Sequence, residues 1–341
     1  MSSEFGKMSG VIVGLGSIGN RHLNNMLDLG VGNMSVVRRK ESQNTQYQPA
    51  ENVRVFYSLE DALQASPEFV VVCNPTYLHV ETALAALDAD CHVLIEKPLC
   101  KSMDDDAVRE LISKTESNHR VCAMAYCMRY HPAYRLAKAQ IDAGVIGRCR
   151  YAKAWFEGYL PDWHPWEDYT QSYAAQPEQG GGVLRTLDHE LDFLNWVLGP
   201  ATNASGVAIN TGSIGIEADD LAMYSLQHPG GVASQVTASF CRKPQSRGFE
   251  FVGEDGVLSF SMESAQVKLQ TSDGAKTETV LELGEYDINQ MYVELADAFC
   301  RSLSSVNGST SGRPPGLDSA LNCMRLIELV SQNSHVIAGG R

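Results

Sequence analysis

Between residues 11 and 126, short apolar runs alternate with stretches whose apolar positions recur every three to four residues. Residues 11–13 (Val-Ile-Val) read as a short buried strand that runs into a glycine turn. A helix over residues 17–29 follows and stops at Gly30 and Gly32. Further strands are predicted at residues 34–37 and 53–56. Ser58 is placed to cap a helix through Ala65, with Asp61 set for the reciprocal bond. A Val-rich strand over 69–73 ends at Asn74-Pro75, a helix spans 76–87, and a strand spans 92–95. A helix over 103–115 leads to the last strand, 121–125. Strands alternating with helices at short spacing predict a parallel sheet with right-handed crossovers.

The pattern changes after Tyr130. One helix is predicted over residues 132–143. Alternating segments follow at 148–156, 204–210, 221–227, 232–240, 249–252, 257–260 and 267–270. They predict a mostly antiparallel open sheet with one face solvated or facing a partner. A helix over 186–198 interrupts them and stops at Gly199-Pro200. Two helices, 286–303 and 317–333, close the chain, and the Ser/Gly/Pro-rich stretch 304–315 between them reads as an exposed loop.

Composition narrows the function. With 341 residues the chain is long enough for two domains. Apolar residues are 44% and charged residues 20%, ordinary values for a soluble globular protein. A net charge of −14 argues against nucleic acid as a partner, though a local basic pocket can still take a phosphorylated ligand. The nine cysteines are scattered, with no zinc spacing, which predicts reduced thiols in a cytoplasmic protein and no metal. Residues 1–10 lack the apolar stretch of a signal peptide, and no run approaches membrane-spanning length, so no membrane partner is expected.

The chemistry begins at Gly14-Leu15-Gly16-Ser17-Ile18-Gly19. Gly14 permits the tight turn, Gly16 lets the backbone approach a pyrophosphate, and Gly19 lets the helix pack closely on the strand. Ser17 and Ile18 open the helix whose free N–H groups and positive dipole end face the phosphates. This is the setting of a Rossmann doubly wound parallel sheet. The next strand ends in Val37-Arg38-Arg39-Lys40, where an NAD-selective site usually has an acidic residue. Arg38 and Arg39 can pair a 2′-phosphate and stack on adenine, so NADP(H) is preferred, with NAD(H) possible. Asn74, Pro75, Thr76 and His79 lie at the end of the fourth strand, where an open sheet binds ligands, and Thr76 is placed to cap the next helix. Glu96-Lys97-Pro98 ends the fifth strand. Lys97 offers a charged donor to a substrate hydroxyl or carbonyl, and the Lys97-Pro98 bond is a candidate for cis geometry.

In order and spacing, GLGSIGNRH (14–22), NPTYLH (74–79), EKPL (96–99), MRYHPAY (128–134) with GVIGR (144–148), and GGGVLRTLDHELDFLNWVLG (180–199) resemble the Gfo/Idh/MocA oxidoreductases. The resemblance covers nearly the whole chain. It implies an NAD(P)-dependent enzyme acting on a sugar, inositol or sugar nucleotide, with Lys97 catalytic and His189 the proton donor or acceptor. It also implies a homodimer or homotetramer formed through the open sheet. The chain departs from the pattern one turn before His189, where relatives are acidic and this chain has Arg185 and Thr186. Asp188 is adjacent, but neighbours on a helix point about 100° apart; Glu190 and Asp192 are other possible orienters.

The stretch 155–166 is aromatic: Trp155, Phe156, Tyr159, Trp163 and Trp166, with His164. Trp155 and Phe156 are expected in packing, whereas Trp163 and Trp166 flank Pro165 in an apparent loop and suit a sugar ring or a nicotinamide. Tyr126, Arg129 and Tyr130 sit at the handover between the two patterns. The expected substrate-binding set is Tyr126, Arg129, Trp163, Thr186 and Asp188; Glu96 and Lys97 join the expected cofactor set. The sequence thus predicts a dinucleotide-binding domain over residues 1–126 and a substrate-binding and oligomerisation domain over 127–341, with the C-terminal helices returning to the first. Two other readings stay open: a sugar-processing enzyme that retains its cofactor without net redox, and a non-catalytic dinucleotide-sensing regulator.

Overall fold

The computed structural model describes residues 4–40, 46–117, 119–163, 165–304 and 312–334. The chain divides into two compact units, Met1–Cys127 with Ile288–Ala320, and Met128–Asp287 with Leu321–Arg341.

The first unit is built on β1 (Ser9–Val13), α1 (Ser17–Asp28), β2 (Asn33–Val37), β3 (Arg54–Phe56), α2 (Leu59–Gln64), β4 (Phe69–Val72), α3 (His79–Asp88), β5 (His92–Ile95), α4 (Asp106–Ser117) and β6 (Cys122–Met124). Six parallel strands run in the order β3-β2-β1-β4-β5-β6. The order reverses beside β1, which has β2 on one side and β4 on the other. Phe69 to Val72 are wholly buried, as a central parallel strand covered on both faces requires. Ser58 caps α2 as expected, its hydroxyl accepting from the Asp61 amide at 3.0 Å. The helix Gln290–Ser304 belongs to this unit and packs on α1, where Asn289 donates to Asn25 at 2.9 Å.

The second unit adds α5 (Pro132–Asp142), β7 (Cys149–Tyr159), α6 (Val183–Thr186), α7 (His189–Leu198), β8 (Asn203–Ile209), β9 (Leu221–His228), β10 (Val232–Ser239), β11 (Cys241–Gly253), β12 (Gly256–Ser261), β13 (Gln266–Thr271) and β14 (Thr277–Glu282). Its eight strands run β14-β13-β12-β11-β7-β10-β9-β8. All pairs are antiparallel except β7 with β10. One face packs on α5 and α7 through an aromatic cluster: Tyr134 lies 4.4 Å from Phe193, which lies 5.1 Å from Phe249. On β7, Ala152 and Ala154 point into that core while Tyr151 and Lys153 alternate outward. Residues 277–282 carry too little apolar alternation to announce a strand, yet they pair with β13 at the sheet edge.

Two local expectations are corrected. The helix expected over 186–198 is two pieces, α6 and α7, separated by Leu187, whose φ of −107° and ψ of 44° leave the helical region. Neither glycine nor proline marks this break. The short first piece is anchored at its start by a residue distant in sequence, Asp219: its carbonyl accepts from the Val183 amide and its carboxylate from the Leu184 amide, both at 2.8 Å. Thr76 does not cap α3. It opens a separate 3-10 turn, Thr76–Leu78, and is itself buried.

Candidate active site

The glycine turn sits where the first sheet reverses. Gly14 has φ +96°, and a Cβ there would lie 2.7 Å from the Asn74 amide nitrogen, so only glycine lets the turn press on the end of β4. A Cβ on Gly19 would lie 1.9 Å from the Gly14 carbonyl oxygen, the close helix–strand approach expected of the third glycine. Beside Gly16 the space is open. Among the described residues no side chain caps the start of α1, and its first turn has no acidic residue. The N–H groups there are therefore available to an anion, and the turn fits a dinucleotide pyrophosphate.

From this turn a cleft of about 540 Å³ runs between the ends of β1, β2 and β4; Gly14, Gly16, Arg38, Arg39, Asn74 and Pro75 line it. Ser17 is exposed at the start of α1 with Ile18 beside it. Tyr57 and Leu59 also line the cleft; sequence reasoning missed them, because nothing in their neighbourhood marks them. A second cleft of about 450 Å³ adjoins it, sharing Arg38 and Tyr57 and adding Lys40. Arg38 donates to Gln48 Oε1 at 3.2 Å and to the Tyr47 carbonyl at 3.4 Å, so its guanidinium is held toward this basic corner.

Lys97 follows β5, beside β4 in the same sheet, and is half-buried. The Lys97-Pro98 bond is cis. Glu96 is buried; its Oε1 accepts from His22 Nε2 at 2.8 Å and its Oε2 from the Lys97 amide at 3.1 Å. His79 lies beneath the cleft surface: its ring nitrogens face the carbonyls of Pro98 at 2.8 Å and Asn74 at 2.7 Å. Burial lowers the pKa of His79, while the two carbonyls and Glu96 pull the other way. Asn74 donates to Thr82 at 2.8 Å, which fixes the loop after β4.

In the second unit, His189 is half-buried at the first position of α7, with Asp188 as N-cap. Because the helix breaks at Leu187, counting one turn back from His189 along a continuous helix has no structural meaning. Asp188 and Thr186 are buried. The acidic neighbours on α7 face cations of the same unit. Glu190 accepts from Arg247 at 2.7 Å, and Asp192 takes Arg129 in a two-point contact at 2.6 and 2.9 Å. Arg129 is thus part of the α7 anchorage, with its guanidinium 5.5 Å from the Trp196 ring. Tyr126, in the first unit, is fully buried. Trp163 stacks on Phe156 at 6.0 Å and meets Phe240 edge-on at 5.4 Å, while Trp166 is 57% exposed. His164 lies outside the described residues. Asp219, which sequence reasoning also missed, caps α6, and burial raises its carboxyl pKa. The acidic run 217–220 was its only signal.

A parallel sheet reversing at a glycine turn, with an open basic cleft beside it, defines a Rossmann dinucleotide-binding unit. Residues 8–126 match the model of the oxidoreductase family with NAD-binding Rossmann fold, and residues 134–259 match the GFO/IDH/MocA C-terminal domain. The chain belongs to the Gfo/Idh/MocA oxidoreductase family. It is 33% identical over 195 residues to a 1,5-anhydro-D-fructose reductase of Ensifer adhaerens, covering 55% of each chain. It is 31% identical over 178 residues to a 2,7-anhydro-N-acetylneuraminate hydratase of Mediterraneibacter gnavus, covering 50% of this chain and 44% of that one. The chain spans about half the length of these curated relatives. Among solved structures, an inositol dehydrogenase homolog from Azotobacter vinelandii complexed with NAD+ shares the fold, with TM-score 0.83 at 17% identity over 96% of this chain and 95% of that one. No helix among the described residues is long and apolar enough to cross a membrane.

Proposed function

We propose that the protein is an NADP(H)-dependent oxidoreductase acting on a hydroxyl or keto carbon of a sugar, inositol or sugar nucleotide, with the first unit holding the cofactor and the second the substrate. The observation that carries the reading is the cleft joining Gly14, Gly16, Arg38 and Arg39, on a sheet whose strand β5 is followed by Lys97. A nicotinamide dinucleotide bound there supplies or accepts the hydride. The chain's own residues bind and orient. The open N–H groups of α1 take the pyrophosphate, and Arg38, Arg39 and Lys40 favour a 2′-phosphate over a bare ribose. Lys97 donates to the substrate oxygen, polarising a carbonyl in reduction and stabilising an alkoxide in oxidation. His189 moves the proton of that oxygen. The outward face of the second sheet, with Tyr151 and Met223 each 43% exposed, pairs with another copy in a homodimer or homotetramer.

The test is a titration of the purified protein with NADPH and NADH, then turnover with 1,5-anhydro-D-fructose and myo-inositol followed by nicotinamide absorbance. NADPH should bind at least about tenfold tighter. Failure to bind either cofactor would remove the enzyme reading. A second reading, sugar processing with a retained cofactor and no net redox, is favoured by the match to a protein named as a hydratase. It would show as product formation without net change in nicotinamide absorbance.

A further inference from the structure

Two of the buried histidines of the first unit reach the lysine turn, and hydride transfer leaves them without a task. His22, on α1, is 0% exposed, and His79, at the start of α3, is 2% exposed. Both reach the Glu96-Lys97-Pro98 turn. His22 Nε2 donates to Glu96 Oε1 at 2.8 Å, since a carboxylate oxygen only accepts. The second oxygen of that carboxylate accepts from the Lys97 amide at 3.1 Å. On the other side of Lys97, the Pro98 carbonyl faces His79 Nδ1 at 2.8 Å, and the opposite edge of that ring faces the Asn74 carbonyl at 2.7 Å. A neutral His79 ring has one N–H to give; carried on Nδ1 it donates to the Pro98 carbonyl, and the backbone is then tied on both sides of Lys97, once from α1 through a carboxylate and once from α3 directly.

An apolar side chain would fill either place without burying a polar ring. What the histidines add is a set of directed bonds into one turn. The Tyr292 ring meets His22 edge-on at 6.2 Å, and Arg21 lies 4.6 Å over the Tyr292 ring.

We propose that His22 and His79 are positioning residues for Lys97, His22 acting through the Glu96 carboxylate and His79 through the Pro98 carbonyl. The proposal rests on the reading that Lys97 meets the substrate oxygen. Neither ring touches substrate. A misplacement of about 1 Å in a reacting geometry can cost about 10²-fold in rate, so loss of one of two ties should cost about tenfold.

The test compares His22→Phe, which keeps a ring of similar size but no donor, with His22→Gln, which restores an N–H. The cofactor-free readout is amide hydrogen exchange at Lys97. It should quicken about tenfold in His22→Phe while the β1 and β6 amides keep the parent's rates. With NADPH and a substrate turned over by the parent, kcat should fall about tenfold. KM and the Kd for NADPH should stay within about threefold, and His22→Gln should regain most of the loss. Exchange and kcat both within about twofold of the parent would overturn the proposal. So would quickened exchange across the whole sheet with matching loss of cofactor affinity, which would make His22 merely structural. Should His22→Phe fail to fold, His79→Gln decides by the same two readouts, with the same result overturning the idea. Lys97→Ala separates the two levels. If it keeps its turnover, the reading of Lys97 fails. If it loses turnover while both histidine variants keep theirs, only the positioning proposal fails.

Discussion

The turn after β5 and the break before α7 each carry one of the proposed chemical groups, and the chain builds them by different means. Lys97 follows a strand whose four residues are all buried and registered between β4 and β6. Its turn is then held by the Glu96 carboxylate, which takes His22 of α1 and the Lys97 amide, with His79 of α3 against the Pro98 carbonyl. His189 follows no strand. It opens a helix after a four-residue one, and that region is held by side chains from far along the chain: Asp219 on α6, Arg247 on Glu190, and Arg129 on Asp192. A group placed by sheet register tolerates change at a distance. A group placed by buried charges depends on each counterion, because an ion left alone in the interior is costly.

The sharpest way to break this comparison is Arg247→Met. It leaves the Glu190 side chain, 1% exposed, without its cation. Unfolding in urea should show a loss of about 3–5 kcal/mol. A loss under about 1 kcal/mol would mean that Glu190 finds water, and that α7 does not hang on its charges.

Acid should weaken the same unit next. His131 caps α5, its Nδ1 accepting from the Ala133 amide, and its ring packs 5.0 Å from Tyr286. Burial, helped by the charge of Arg247, pushes its pKa down to about 4. The folded state thus binds fewer protons than the unfolded state between the ordinary value near 6.5 and about 4. Stability is whole above that window and falls as pH drops through it, by up to about 3 kcal/mol. His92 shares the window through burial and then the charge of Arg120, so the variant isolates the second unit. In His131→Gln, unfolding free energies measured at several pH values should decline less steeply, and an unchanged slope would clear His131.

Catalytic effects come third. Lys97→Ala should lower turnover by about 10²-fold while NADPH titrates as before. His189→Asn should lower it by about tenfold or more and erase one limb of the pH–rate profile. If the limb stays, the proton is carried by another group, and the charge-anchored segment is scaffold only.

The smallest effect is cofactor choice. Arg38→Asp should reverse a preference for NADPH of at least about tenfold, or about 1.4 kcal/mol, in parallel titrations. Equal binding of both cofactors by the unmodified protein would put Arg38 to other work, such as its hold on Gln48.

The elements of the first unit, the class of cofactor and the lysine turn are all readable along the chain. They are written in contiguous residues: a strand period, a glycine spacing, a charged residue at a strand end. The open sheet of the second unit is legible in the same way, except for the first part of β11, which begins at Cys241, and for β14, a polar edge strand that takes its form from pairing with β13. The roles inside those elements are not legible. His79 stands in a ligand-binding motif, yet its ring nitrogens face two backbone carbonyls. Trp163, in an apparent loop, stacks against Phe156. The stretch through Leu187 has no helix breaker, yet the helix breaks there, and its first piece is anchored by Asp219, 35 residues beyond Leu184. The pairs that matter most lie farther apart still, 57 residues for Glu190 with Arg247 and 74 for His22 with Glu96. Period and spacing record what neighbours along the chain do together. A buried polar group takes whichever partner the packed fold delivers, and that partner leaves no mark in the local pattern.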